Sequence, residues 1–210
     1  MTTTLVTDRA ERIAFSVNFD YRCPFARNAH EHLVAAVQAG APYDVTYLGF
    51  SLNQTHVEEG DTPVWERPDQ ENVLTAVAAG ITVRDLDPEH FLATHLELFR
   101  ARHVLGGDLR DDAVIKEALR QGGSDPDAIY AELATGRPYE KLRAEHELAV
   151  NEFSAFGVPT FIYGADAAFV RVMTRPDGDA KLAIATIDRI VDLLTEAPEI
   201  NEFKHTTVPR

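Results

Sequence analysis

Residues 18–27 read NFDYRCPFAR and contain Cys23, the only cysteine among 210 residues. An apolar, β-prone run at residues 13–19 precedes it, and Pro24 opens a pattern of apolar residues at helical spacing. We therefore expect Cys23 at the N-cap of a helix and Pro24 at the first helical position, where a proline loses no hydrogen bond. Backbone N–H groups and the helix dipole favour a thiolate at such a position, which predicts a lowered pKa and a nucleophilic sulfur.

Charged neighbours also bear on the pKa of this thiol. A carboxylate at Asp20 would oppose thiolate formation, whereas Arg22 and Arg27 would favour it. The helix position tips the expectation towards a reactive thiolate rather than a buried structural cysteine.

The rest of the chain alternates between strand-like and helical patterns. The predicted elements are strands at 12–19 and 43–50 around a helix at 24–39, helices at 69–79, 88–104, 111–121, 126–134 and 138–155, strands at 156–163 and 168–173, and a helix at 181–194. Asp87-Pro88 and Asp125-Pro126 predict N-caps, and Gly80 predicts a helix end. Val150, Phe153 and Leu182 are among the residues expected to face inward.

This order predicts an α/β fold with a large helical insertion between the second and third strands. The interpretation places a discontinuous domain at residues 1–62 and 148–195, the insertion at 63–147 and a polar tail at 196–210. The length suits one domain with such an insertion.

Composition restricts the partners. The formal net charge of −14 and the pI near 4.9 argue against nucleic acid and anionic membrane as partners, since both attract basic surfaces. Residues 1–8 contain neither a basic leader nor an apolar run, no segment has the length and apolarity of a membrane span, and one cysteine cannot form an internal disulfide. We expect a cytoplasmic protein.

The strand–helix–strand, helical block and strand–strand–helix order resembles the thioredoxin-like fold in its DsbA-type form. Two motifs carry the resemblance, Asp20-x-x-Cys23-Pro24-Phe25 at the turn and FGVPTF at residues 156–161, and residues 99–118 look like the family's helical subdomain. The resemblance implies a cis peptide bond at Pro159. It also implies that substrate is positioned beside Cys23 by Pro24, Phe25, Val158, Pro159 and Thr160.

Ala26 departs from the family pattern, because it stands where the second cysteine of a Cys-x-x-Cys motif would be. A self-contained dithiol oxidase or isomerase is therefore excluded, since nothing in the chain can resolve a mixed disulfide on Cys23. What remains is monothiol chemistry with an external thiol such as glutathione or mycothiol, and no permanently bound cofactor. Kappa-class transferases and hydroxychromene-carboxylate isomerases of the same superfamily also carry incomplete motifs.

Three hypotheses stay open at this point. The first is a monothiol oxidoreductase or transferase that acts through Cys23 on a disulfide or small molecule. The second is a thiol-dependent isomerase or transferase in which the sulfur of the cofactor reacts. The third is a redox-silent binding module that keeps only the cleft.

Other candidate residues carry weaker signals. Ala26, His56 and Trp65 are candidates for a pocket beside Cys23, although Trp65 could equally pack the insertion onto the core. His30 and His32 are expected on the surface, and His95, His103 and His146 lack the spacing of a metal site, so no metal is predicted. A homodimer is compatible with the sequence.

Overall fold

The computed structural model describes residues 12–67 and 72–207. Its helices and strands are, in order, β1 (Ile13–Phe19), α1 (Pro24–Gln38), β2 (Tyr43–Gly49), α2 (Thr75–Leu86), α3 (Pro88–His103), α4 (Asp112–Gln121), α5 (Pro126–Leu133), α6 (Arg137–Phe153), β3 (Thr160–Tyr163), β4 (Asp166–Phe169) and α7 (Ala180–Glu196). Two short 3₁₀ turns, Gln54–His56 and Val64–Glu66, lie between β2 and α2.

The strands form a sheet of order β2-β1-β3-β4. β1 lies between a parallel neighbour, β2, and an antiparallel neighbour, β3, and β4 continues antiparallel to β3. Phe15, Val17 and Phe19 alternate along β1 and are all buried, so the strand that leads to Cys23 lies within the core. α1 packs against α7, while α2 packs against α3, α6 and β2. The Cys23 turn is thus held by the sheet and the helical block together.

Both predicted helix starts are correct, since α3 begins at Pro88 after Asp87 and α5 begins at Pro126 after Asp125, but only Asp125 caps its helix with its side chain. The Asp125 carboxylate accepts a hydrogen bond from the Asp127 N–H at 3.0 Å, as an N-cap does. Asp87 precedes α3, yet its side chain makes no capping bond to the helix backbone and instead bonds His90 Nδ1 at 2.7 Å. A histidine one turn into the helix therefore competes for this carboxylate.

Gly80 was predicted to end a helix, and this is wrong, because α2 runs through it to Leu86. A Cβ atom at Gly80 would lie 2.1 Å from the hydroxyl of Tyr21, so the glycine permits close packing rather than a turn. The predicted start of this helix at residue 69 lies outside the described residues.

Several burial expectations also fail. His30 and His32 are buried instead of lying on the surface, since both rings bond main-chain carbonyls. Val150 and Leu182 were expected inward, but 37% and 41% of their surface is exposed. The fourth strand covers Asp166–Phe169 rather than residues 168–173.

The predicted domain boundaries stay a prediction, and α6 runs without a break across the one between residues 147 and 148. Among the described helices, none combines the length and the apolar character that a bilayer span requires.

Candidate active site at the Cys23 turn

Cys23 lies at the N-cap of α1, as the sequence predicts. Its sulfur accepts a hydrogen bond from the Ala26 N–H at 3.5 Å, and Pro24 occupies the first turn of the helix. The thiol also donates to the Val158 carbonyl oxygen at 3.3 Å. With only 8% of its surface exposed, the Cys23 side chain sits between the start of α1 and the loop before β3.

The expected low pKa of Cys23 is not found. Burial raises the pKa of the thiol above its ordinary value, the N–H groups of Ala26 and Phe25 lower it by less, and the charge of Asp20 raises it again. Arg22 does not offset this effect, because its guanidinium is paired with the Asp20 carboxylate at 2.6 Å. Cys23 therefore rests as a thiol rather than as a thiolate.

The loop before β3 meets Cys23 where the resemblance places it. The Val158–Pro159 peptide bond is cis, and Val158, Pro159 and Thr160 are buried. Asn18 at the end of β1 holds this loop from both sides: its side-chain amide donates to the Gly157 oxygen at 3.1 Å and accepts from the Thr160 N–H at 2.6 Å. Sequence reasoning missed Asn18, although a polar residue near the end of an apolar strand was visible.

The remaining predicted site residues divide into two groups. Ala26 is buried, and Phe25 is half-buried with the guanidinium of Arg171 5.7 Å from its ring centroid. His56 is exposed and lies 2.6 Å from the Leu52 oxygen, and Trp65 packs on His146 with ring centroids 5.3 Å apart. The structure therefore brings Ala26 and Phe25 to the turn but shows no contact of His56 or Trp65 with Cys23.

A cavity of about 430 Å³ lies beside the turn on the side of the helical block. Tyr21 and Arg22 contribute to its wall, and its apolar floor is formed by Val73, Ala76, Val77 and Leu109. Volumes of about 300–1,000 Å³ are typical of small-molecule sites. Cys23, Ala26, His56 and Trp65 are not among the residues that line it, so the cavity meets the turn at Tyr21 and Arg22 rather than at the sulfur.

The polar wall of this cavity combines three arginines with two aspartates and an amide, namely Arg22, Arg102, Arg110, Asp20, Asp108 and Asn53. Two arginines are paired there, Arg22 with Asp20 and Arg110 with Asp108, both at distances of 2.6–2.7 Å. Arg102 bonds the Gly107 carbonyl oxygen at 3.3 Å, and within the described part of the chain it has no carboxylate partner. The cavity is thus locally cationic in a chain of net charge −14. The chemistry fits an anionic small molecule.

The residues of the described ranges with the geometry to hold a metal ion are Asp87, Glu89 and His90 at the start of α3. None of them belongs to the Cys23 turn or to the cavity beside it.

A sheet of this topology, a cysteine opening the first helix and a cis-proline facing it define a thioredoxin-like protein with a helical insertion. Residues 15–176 match the family model of the DSBA-like thioredoxin domain, and the chain belongs to that family. The predicted fold class is thereby confirmed. No curated protein sequence matches the chain.

Solved structures share the fold at low sequence identity. A 2-hydroxychromene-2-carboxylate isomerase superposes with a TM-score of 0.60 at 14% identity, over 86% of this chain and 97% of its own. The oxidoreductase NmDsbA1 from N. meningitidis gives 0.58 at 17%, over 91% and 88%. The cytosolic disulfide reductase DsbM from Pseudomonas aeruginosa, solved with GSH, gives 0.57 at 15%, over 86% and 100%. Oxidoreductases and an isomerase are thus among the neighbours in structure.

Proposed function

We propose that this protein is a DsbA-family thiol oxidoreductase or transferase that works through Cys23 and an external low-molecular-weight thiol. One observation carries the proposal: a single sulfur at the N-cap of α1 faces the Val158–Pro159 loop, and Ala26 stands where a second sulfur would be. The reaction begins on Cys23 and is completed by a thiol from outside the chain.

The chemistry is two successive thiol–disulfide exchanges. Cys23 first gives up its proton, and its sulfur attacks one sulfur of a substrate disulfide, so that one S–S bond breaks, another forms, and the other half leaves as a thiolate. An external thiolate then attacks the mixed disulfide and releases Cys23, which regains a proton. The raised pKa keeps the fraction of Cys23 in the thiolate form low at neutral pH, which slows the first exchange.

The cationic cavity supports a small anionic thiol as the external partner. A tripeptide thiol such as glutathione carries carboxylates, one of which Arg102 can bind, and the apolar floor accommodates the rest of the molecule. Mycothiol lacks such carboxylates and fits the charge less well. The likeness to a disulfide reductase solved with GSH adds support for the class of ligand.

The predicted positioning residues keep their roles in this proposal. Pro24 and Phe25 begin the helix beside the sulfur, and the backbone of Val158, Pro159 and Thr160 aligns an extended substrate. We place the reaction in the cytoplasm, since a single thiol needs a reducing thiol pool to complete each cycle.

A second candidate follows from the raised pKa of Cys23. A resting thiol is a poor nucleophile but a competent hydrogen-bond donor, so in an isomerase or transferase the sulfur of a bound thiol cofactor would react and Cys23 would only orient it. The likeness to a 2-hydroxychromene-2-carboxylate isomerase favours keeping this alternative.

Intact-mass spectrometry with oxidised glutathione and oxidised mycothiol separates the candidates. We expect one glutathione adduct on Cys23, formed faster than the mycothiol adduct, removed by reduced glutathione and absent in Cys23→Ser. An isomerase or transferase activity that survives Cys23→Ser would support the second candidate. If no adduct forms with any thiol of the panel, the exchange mechanism is wrong and a redox-silent binding module remains.

A further inference from the structure

A chain of four buried residues connects the two sides of the Cys23 site. The Tyr21 hydroxyl lies 2.8 Å from His95 Nδ1, and His95 Nε2 lies 2.9 Å from His30 Nδ1. His30 Nε2 lies 3.1 Å from the main-chain carbonyl oxygen of Asn18, which leaves the Asn18 side chain free for its bonds to the loop. All four residues have no exposed surface. The mechanism proposed above uses none of their side chains.

The hydrogen bonds of this chain run in one direction. A carbonyl oxygen only accepts, so His30 Nε2 carries the proton and His30 Nδ1 accepts from His95 Nε2–H. His95 Nδ1 then accepts from the Tyr21 hydroxyl. Both imidazoles are neutral in this arrangement, which agrees with burial lowering the pKa of His30 to about 4. Each ring nitrogen of the two histidines has one partner, as a stable buried network requires.

The ends of the chain lie at the two elements that meet at the sulfur. Tyr21 precedes Cys23 by two residues and adjoins the cavity. Asn18 fastens residues on both sides of the cis bond, Gly157 and Thr160, and the carbonyl between them, that of Val158, accepts the Cys23 S–H at 3.3 Å. Displacing Asn18 therefore changes the distance between Cys23 and its acceptor.

We propose that Asn18 is a positioning residue for Cys23, and that Tyr21, His95 and His30 hold Asn18 in place. Asn18 fixes the Val158 carbonyl against the sulfur, which keeps the thiol buried and protonated until a substrate displaces the loop contact. The proposal deepens the proposed function and rests on Cys23 being the reacting group. Its test reads the thiol directly, so a failure to exchange with glutathione would leave this test intact.

The test is the rate of Cys23 alkylation by iodoacetamide as a function of pH, followed by intact mass. Asn18→Ala removes both bonds to the loop, so the Val158 carbonyl drifts away and the sulfur becomes more exposed. We expect alkylation at pH 8 to be roughly three- to tenfold faster and the apparent pKa of Cys23 to fall, in line with the loss of one hydrogen bond and partial burial.

Asn28→Ala is the matched control. Asn28 is also a buried asparagine, and its side-chain amide donates to the main-chain carbonyl of Val172 at 2.9 Å. This bond does not involve the cis-proline loop. The control should lose stability and keep the alkylation profile of the native protein. Equal profiles for Asn18→Ala and Asn28→Ala would overturn the proposal.

Tyr21→Phe provides a second, milder variant should Asn18→Ala fail to fold. It removes only the hydroxyl at the far end of the chain and leaves His95 Nδ1 without its donor. We expect alkylation about twofold faster than in the native protein. A rate equal to that of the native protein would contradict a positioning role of the hydrogen-bonded residues Tyr21, His95 and His30.

Discussion

The two sides of the Cys23 turn differ in their access to water and in their charge. On the buried, dry side, Asn18 holds the cis-proline loop, and Asn18, His30 and His95 are joined by hydrogen bonds that involve no formal charge. Towards the helical block, the cavity presents the exposed side chains of Arg102 and Arg110. The comparison separates two tasks, because the dry side can position the thiol while the charged side can admit and recognise an anionic thiol.

Lowering the pH should destabilise the dry side and produce the largest change in the free energy of unfolding. Burial lowers the pKa of His30 on this side to about 4, below the ordinary value of about 6.5, and it does the same to His146 on α6, outside this side. Between these values the unfolded chain binds protons that the folded chain does not. The free energy of unfolding should therefore fall as the pH falls from 6.5 towards 4, by about 1.4 kcal/mol per pH unit for each histidine.

Denaturant unfolding at pH 7, 6, 5 and 4.5 measures this slope. His30→Gln should reduce it, because one buried site no longer titrates. His90→Gln is the control, since His90 is partly exposed and its hydrogen bond with Asp87 raises its pKa instead. A slope that His30→Gln leaves unchanged would show that His30 is not held neutral.

A methyl group at Gly80 should disturb the hydrogen bond between Tyr21 and His95. The added Cβ would lie 2.1 Å from the Tyr21 hydroxyl, so Gly80→Ala must displace a fully buried ring and its bond to His95. Overpacking and a lost hydrogen bond together predict a loss of roughly 2–4 kcal/mol in the free energy of unfolding.

Combination with Tyr21→Phe tests the cause of that loss. Removing the hydroxyl makes room for the new methyl group, so the double variant should lose less than the sum of the two single variants. Strict additivity would show that the destabilisation by Gly80→Ala does not arise from Tyr21.

On the charged side, replacing Arg102 should affect binding without affecting the fold. Arg102→Gln is expected to weaken glutathione binding about tenfold, the loss of one charge-assisted hydrogen bond, and to leave the free energy of unfolding within about 0.5 kcal/mol. Arg100→Gln on the same helix is the control, because Arg100 pairs with Glu97 and does not line the cavity. Titration calorimetry with both variants measures the difference. Equal affinities would place the ligand elsewhere.

The sequence predicted the elements that local patterns encode. Cys23 at an N-cap and Pro24 behind it follow from local chemistry, and the element order follows from hydrophobic periodicity. The assignment of Gly80 as a helix end failed because its reason is a tertiary contact with Tyr21, 59 residues away in the sequence. Local rules contain no information about such a contact.

The pKa of Cys23 was mispredicted for a related reason. The N-cap geometry was correct, but the effect of burial, which depends on the distant Val158 loop, exceeds that of the N–H groups. The sequence pattern places His30 on the surface because its partners lie on other elements, Asn18 on β1 and His95 on α3, and local spacing does not reveal them. Arg102 likewise joins the site only when α3 folds over the turn.

A crystal structure of the mixed disulfide between Cys23 and glutathione tests the two-sided account most directly. We predict that the glutathionyl group lies in the cavity with a carboxylate within hydrogen-bond distance of Arg102. The Cys23 sulfur, having lost its proton, would no longer donate to the Val158 carbonyl, while Asn18 would keep its bonds to Gly157 and Thr160. A glutathionyl group that lies along the cis-proline loop and leaves the cavity unoccupied would contradict the account.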